Sequence, residues 1–251
     1  MTERANEKMS AIEAILDRLV LVENPQEESR LLDQLAHPQG PRVVSFINAH
    51  AVNMAWKDLS FRHHLWNSDV LLRDGVGMKV CLAALKKEPG LNLNGTDLVP
   101  KIVARYKHRK VALFGTRDPS LSEAGDRFVS DYQIQLVSKL DGFLPDRAYL
   151  ENALRHQPEL IVLAMGMPKQ ERVAHLLKEN LQHRCIIVNG GAILDFASQR
   201  VARAPLFVRR CGMEWLWRLL SEPTRLWKRY LIGNVSFLGK VALLAARRLF
   251  A

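Results

Sequence analysis

Residues 160–171 read LIVLAMGMPKQE: an unbroken apolar run that meets a glycine and then a polar, helix-forming stretch opened by Pro168. A short apolar run without alternation fits a strand covered by helices on both faces, the usual state of a parallel sheet. Comparable runs lie at 18–23, 43–47, 70–72, 111–114, 134–137 and 185–188, with amphipathic helical patterns between them, as at 98–106 and 169–181. Strands alternating with helices predict an α/β fold, Rossmann-like, whose mostly parallel sheet carries helices on both faces. Ahead of it, 7–16 reads as a helix. Asn24 reads as an N-cap, with Pro25 at the first helical position and Glu27 completing a capping box.

From residue 200 the alternation stops and only helices are expected, broken near Ser221-Glu222-Pro223 and at Gly233-Asn234. The chain therefore divides into an α/β catalytic domain, 1–199, and a helical C-terminal appendage, 200–251. Charge divides the same way. The net charge is +10, yet 200–251 holds 11 Lys and Arg against Glu214 and Glu222, which leaves the first 199 residues near neutral. Trp215, Trp217 and Trp227 favour a headgroup region. Leu226, Tyr230, Phe237, Val241 and Leu244 recur near helical spacing beside Arg225, Lys228, Arg229, Lys240, Arg247 and Arg248. That composition fits a helix lying on an anionic membrane surface; the alternative is a helix packed on the core with a solvated basic face.

Cys81, Cys185 and Cys211 are far apart, with no CxxC and no histidine at ligand spacing, which argues for a reducing compartment and against structural zinc. No signal peptide is visible, and the apolar stretch 235–246 contains Lys240 and falls short of the roughly 20 residues of a spanning helix.

Ligands of parallel sheets bind beyond the carboxyl ends of the strands. Five such ends carry small and polar residues: Asn48-Ala49-His50, Asp74-Gly75-Val76-Gly77, Gly115-Thr116, Gly166 to Glu171, and Asn189-Gly190-Gly191 leading to Asp195. Asn94-Gly95-Thr96-Asp97 opens a further helix. Glycines let a backbone approach a ligand, and free helix N–H groups suit a nucleotide diphosphate. No GxGxxG and no GxxxxGK[ST] occurs. Asp74, between an apolar strand and two glycines, is placed either to take a proton from an attacking hydroxyl or to cap the next helix. Gln170 and Glu171 could read a ligand or balance a helix dipole. His50, His63 and His64 read as surface or satisfied core residues.

In order and spacing, NAHAVNM, LLRDGVGM, NGTDL, LFGTRDP, DGF, LAMGMPKQE, NGGAILDF and RAPLFVRRCGMEWLWRLLSEPTRLWKRY resemble the WecG/TagA/CpsF glycosyltransferases, over about 43–230. The resemblance implies transfer of a sugar, commonly of N-acetylmannosamine type, from a UDP-sugar to a polyprenyl-diphosphate-linked saccharide. It implies inversion, no cofactor and no bound metal, in cell-surface polymer synthesis, by an enzyme peripheral to the inner face of the cytoplasmic membrane. Carried over, Asp74 is the general base, and Asn48 stands beside it. Gly75, Gly95, Asp97, Gln170 and Asp195 line the nucleotide-sugar pocket, while Arg218, Arg225 and Lys228 meet the diphosphate. Two positions depart from the pattern. Phe46 stands where many members have Thr, and Lys228 where Arg is frequent, with Arg229 beside it able to compensate. A homo-oligomer is compatible with the sequence.

Two other classes compete. A nucleic-acid-binding protein would use the basic tail but shows no known motif, and a dinucleotide-dependent oxidoreductase lacks its fingerprint.

Overall fold

The computed structural model describes residues 3–250. Six parallel strands, β1 (Pro41–Ile47), β2 (Val70–Arg73), β3 (Lys110–Gly115), β4 (Gln135–Leu140), β5 (Leu160–Ala164) and β6 (Cys185–Asn189), form one sheet in the order β2-β1-β6-β5-β3-β4. Alternate side chains divide between the two faces. Val44, Val70, Val111, Val162 and Val188 point to a cluster under helices Pro25–Ala36, Gly95–Ala104 and Ser120–Tyr132. Val43, Ala112, Ile161 and Ile187 point the opposite way, toward helices Asp146–His156 and Lys169–Asn180. Double coverage explains why these strands read as continuous apolar runs. After β3 the chain moves outward to β4, and after β5 inward to β6, so the loops part between β3 and β5 and leave a crevice at the carboxyl edge.

One expected strand is not in the sheet. Residues 18–23 make a single bridge, Leu19 to Leu71, and Val20 N–H donates to Leu71 O at 2.9 Å. Beyond that point the Val22 carbonyl accepts from Leu91 N–H instead, so the segment leaves β2 after one contact. The N-terminal helix is longer than expected, Glu3–Asp17. Asn24 does accept from Glu27 N–H, while the Glu27 carboxylate reaches back to Glu23 N–H at 2.8 Å.

After residue 200 the described structure is helical: Leu206–Arg210, Glu214–Ser221, Pro223–Trp227, a π-helical turn Lys228–Ile232, and Gly233–Phe250. The apolar stripe assigned to a membrane face is turned inward. Leu226, Phe237, Val241 and Leu244 are buried, and the last three share a cluster with Met9, Ile12, Met78 and Leu82. Core burial wins because helices Glu3–Asp17, Ala49–Lys57 and Gly75–Ala84 leave an apolar trough that this stripe fills. The Phe237 ring packs beside Gly77 and Ala49 at the foot of this trough. Polar bonds fix the same helix. Lys240 Nζ donates to Asn53 Oδ1 at 2.7 Å, Asn53 Nδ2 donates to Gly233 O at 2.7 Å, and Arg247 pairs with Glu13 at 3.2 Å.

Leu244→Ala is expected to cost about 2–5 kcal/mol of stability with one urea transition retained. A separate early transition would show that the last helix detaches from the core.

Candidate active site

Two cavities of about 390 and 350 Å³ open at the carboxyl edge of the sheet and share Asn48, Asp74, Thr96, Arg218 and Arg229. The larger is built from the sheet side. Its walls include Thr116, Gly142, Gly166, Gln170, Gly190, Gly191 and Asp195, faced by Arg200 and Arg225 from the C-terminal helical segment. The smaller has Val76, Val80, Phe237 and Leu238 along one side and His50, Trp215 and Tyr230 along another. One cavity is polar and cationic, the other largely apolar, and Asp74 lies at the seam.

Asp74 follows β2 directly and occupies the N-cap position of helix Gly75–Ala84, yet its side chain makes no capping bond. Its Oδ2 accepts from Asn48 Nδ2 at 3.2 Å. Asn48 caps its own helix through Oδ1, which accepts from Ala51 N–H at 3.1 Å, so its amide is held in one orientation. Burial raises the Asp74 pKa above the usual carboxylate value, while the Asn48 bond and the charges of Arg229, Arg218 and Arg73 oppose that rise. The balance gives a carboxylate more basic than one in water.

The candidates from the sequence separate clearly. Asn48, Asp74 and Arg218 line both cavities; Gln170, Gly95, Asp195 and Arg225 line the polar one, and Gly75 the apolar one. Asp195 accepts from Thr116 Oγ1 at 2.7 Å, which ties helix Ile193–Ala197 to the end of β3. Gln170 Oε1 accepts from Gly191 N–H at 3.2 Å, and its Nε2 donates to Glu171 Oε1 at 2.9 Å. Two candidates lie elsewhere. Asp97 lines neither cavity and pairs with Arg203 at 2.5 Å and Arg209 at 3.5 Å. Burial pushes its pKa up, but bonds from Asn94 and Arg203 and the two arginine charges hold it below the usual value. Lys228 is exposed, with its ammonium 5.5 Å from the Trp227 ring.

Arg229 stands where Lys228 was expected. Arg229 and Tyr230 both belong to the π-helical turn and line the apolar cavity, whereas Lys228, its first residue, lines neither cavity. Nothing in residue pattern announces such a turn. His50 was read as ordinary surface or core, yet it lines the apolar cavity. Burial and then the Arg229 charge lower its pKa to about 4, so it is neutral at physiological pH. Its proximity to Asn48 in the sequence was the available signal. Glu214 also faces this cavity, its pKa raised by burial. Among the described residues no group of three or more His, Cys, Asp and Glu side chains is placed to hold a metal ion.

Residues 18–250 match the model of the glycosyl transferase WecG/TagA/CpsF family. Among curated proteins, the N-acetylglucosaminyldiphosphoundecaprenol N-acetyl-β-D-mannosaminyltransferase of Bacillus subtilis strain 168 is 28% identical over 193 residues, 75% of each chain. The protein of the same description from Bacillus spizizenii is 29% identical over 171 residues, 66% of each chain.

Glu171 gives a test of the site's electrostatics. It is 2% exposed, its Oε2 has no partner, and burial pushes its pKa up to about 7. The native state then binds more protons than the unfolded chain between pH 4.5 and about 7, so stability falls as pH rises through that window, by about 3 kcal/mol in all. Glu171→Gln removes this dependence. The variant's urea midpoint should gain on wild type between pH 5 and pH 8; a constant difference would refute a buried proton.

Proposed function

This chain belongs to the WecG/TagA/CpsF family of glycosyltransferases, and we propose that it transfers a hexose, of N-acetylmannosamine type, from a UDP-sugar to a polyprenyl-diphosphate-linked saccharide, with inversion and without a metal, in cell-surface polysaccharide synthesis. The observation that carries this proposal is the seam. A single carboxylate, more basic than usual, borders both a polar, arginine-lined cavity and an apolar one.

The UDP-sugar occupies the polar cavity, where glycine-rich strand ends admit the nucleotide. The acceptor occupies the apolar one, with its reacting hydroxyl at Asp74. Asp74 takes the hydroxyl proton as the oxygen attacks the anomeric carbon. The bond from that carbon to the β-phosphate oxygen breaks, and UDP leaves with the electron pair. Attack from the acceptor side and departure toward the donor side invert the centre. Charge builds on the β-phosphate, where Arg218, Arg225 and Arg229 stabilise it; one such contact in a site shielded from water contributes about 3 kcal/mol. His50, being neutral, adds no further positive charge beside the base. The two rival classes have less support. Arg203, Arg209, Arg247 and Arg248 are already in ion pairs, which leaves the tail a poor phosphate-tracking surface for nucleic acid.

We further propose peripheral attachment to the anionic inner face of the cytoplasmic membrane. Among the described residues no helix is long and apolar enough to cross a membrane. Leu206, Phe207, Leu220, Leu231, Ile232 and Val235 each expose more than half of their surface, with exposed Arg210 on the helix of Leu206 and Phe207 and exposed Lys228 on the turn of Leu231 and Ile232. Apolar side chains flanked by cations suit a headgroup layer.

Asp74→Asn is expected to abolish transfer in assays with EDTA present while UDP-sugar binding by calorimetry stays within about twofold. Substantial transfer by this variant would remove Asp74 as the base, and loss of wild-type activity in EDTA would remove metal independence. The Ile232→Asp, Val235→Asp double variant should lose binding to phosphatidylglycerol vesicles and keep turnover of a water-soluble acceptor. Unchanged vesicle binding would place the membrane face elsewhere.

A further inference from the structure

Among the described residues, five helices start behind an Asn or Asp: Asn24, Asn48, Asp58, Asp74 and Asn94. Four of these side chains turn back onto their own helix. Asn24 accepts from Glu27 N–H at 3.0 Å, Asn48 from Ala51 at 3.1 Å, Asp58 from Phe61 at 3.0 Å and Asn94 from Asp97 at 2.9 Å. This is the ordinary outcome, because a free helix N–H is a good donor and a short polar side chain is the nearest acceptor. Asp74 alone does not cap.

Beside the Asn48 bond to its carboxylate, two linked features hold it off. Gly75 has φ +85°, a left-handed conformation that swings the preceding residue away from the helix end. A Cβ at this glycine would meet nothing within 4 Å, so glycine is needed there for its backbone angle and not for space. The Gly75 N–H is in turn fixed from outside the helix, donating to Asn92 Oδ1 at 2.8 Å. Asn92 belongs to a loop held by Arg73, the residue just before the base. Arg73 is 5% exposed, and its guanidinium donates to Pro89 O at 2.6 Å and Gly90 O at 2.7 Å and reaches Asn92 Oδ1 at 3.5 Å.

We propose that Asn92 is a positioning residue for the base: its amide oxygen, held by Arg73, locks the left-handed Gly75 turn and so keeps the Asp74 carboxylate off its own helix and aimed at the seam. This rests on the general-base role of Asp74. Without Asn92, the Gly75 turn relaxes and Asp74 caps like its four counterparts. A carboxylate accepting helix N–H bonds is a weaker base and points away from the acceptor. Asn92 is itself exposed, so its replacement removes no core contact.

The test compares wild type with Asn92→Ala, Asn92→Asp and Gly75→Ala. The Asp74 carboxyl carbon is titrated by NMR in ¹³C-aspartate-labelled protein, its signal assigned by loss in Asp74→Asn. Transfer is measured with UDP-N-acetylmannosamine and a synthetic polyprenyl-diphosphate N-acetylglucosamine. Asn92→Ala and Gly75→Ala should lower the Asp74 midpoint by about one pH unit and kcat by about tenfold or more, with donor KM within about twofold. Asn92→Asp keeps an acceptor for Gly75 N–H and should retain kcat within about threefold of wild type. An Asp74 midpoint unmoved by Asn92→Ala, or an Asn92→Asp variant as slow as Asn92→Ala, would overturn the proposal. A wild-type protein inactive with every UDP-sugar would overturn the enzymatic assignment instead, and the titration would still decide whether Asn92 positions Asp74.

Discussion

A carboxylate and several guanidinium groups share a small space with limited access to water, and much of the architecture exists to keep them there. Asp74 sits within electrostatic reach of Arg73, Arg218 and Arg229. Burial lowers the pKa of Arg229, a sign that its charge is costly in this position. Such a cluster disperses unless each member is held by something stronger than its attraction to solvent. Asn48 holds the carboxylate, the loop carbonyls of residues 89 and 90 hold Arg73, and the packed helices after residue 200 hold the other two.

The segment beyond residue 200 is thus a wall of the site as well as a reservoir of charge. Its final helix contributes Phe237, Val241 and Leu244 to a cluster that also includes the N-terminal helix. Its earlier turns contribute Arg218, Trp215, Arg229 and Tyr230 to the cavities. A loosely attached arm could bring cations near the cavities but could not fix their distance from Asp74. Burial of the helical stripe supplies that rigidity, and the exposed apolar side chains that remain are a different set from the one first expected to meet a membrane.

Most of the sheet was legible because parallel strands covered on both faces must be continuously apolar, and five of the seven expected runs match observed strands within a residue or two. The run at 134–137 located β4 but stopped short of Leu140, since that edge strand is only partly buried and carries Ser138 and Lys139. The run at 18–23 misled because local composition fits a strand equally well whether or not a long partner is available; β2 has only four residues to offer. At the site, strand-end residues were readable from position alone, as with Asp74, Asn48 and Gln170. Residues placed by helix register were not. Lys228 and Arg229 are adjacent and chemically alike, and only the register of the helical turn they share decides which faces inward. Asp97 was drawn into the expected pocket by the family resemblance, whereas two arginines distant in sequence claim it.

The Asn53 side chain joins two parts of the site that sequence keeps 180 residues apart. It projects from the helix whose first residues carry Asn48, and it grips the Gly233 carbonyl directly after the turn that presents Arg229. Asn48, which holds the Asp74 carboxylate, and Arg229, whose charge faces it, are therefore mounted on elements joined by one side chain. The opposite bank of the polar cavity is built differently: Gly142, Gly166, Gly190 and Gly191 bring bare backbone to its wall.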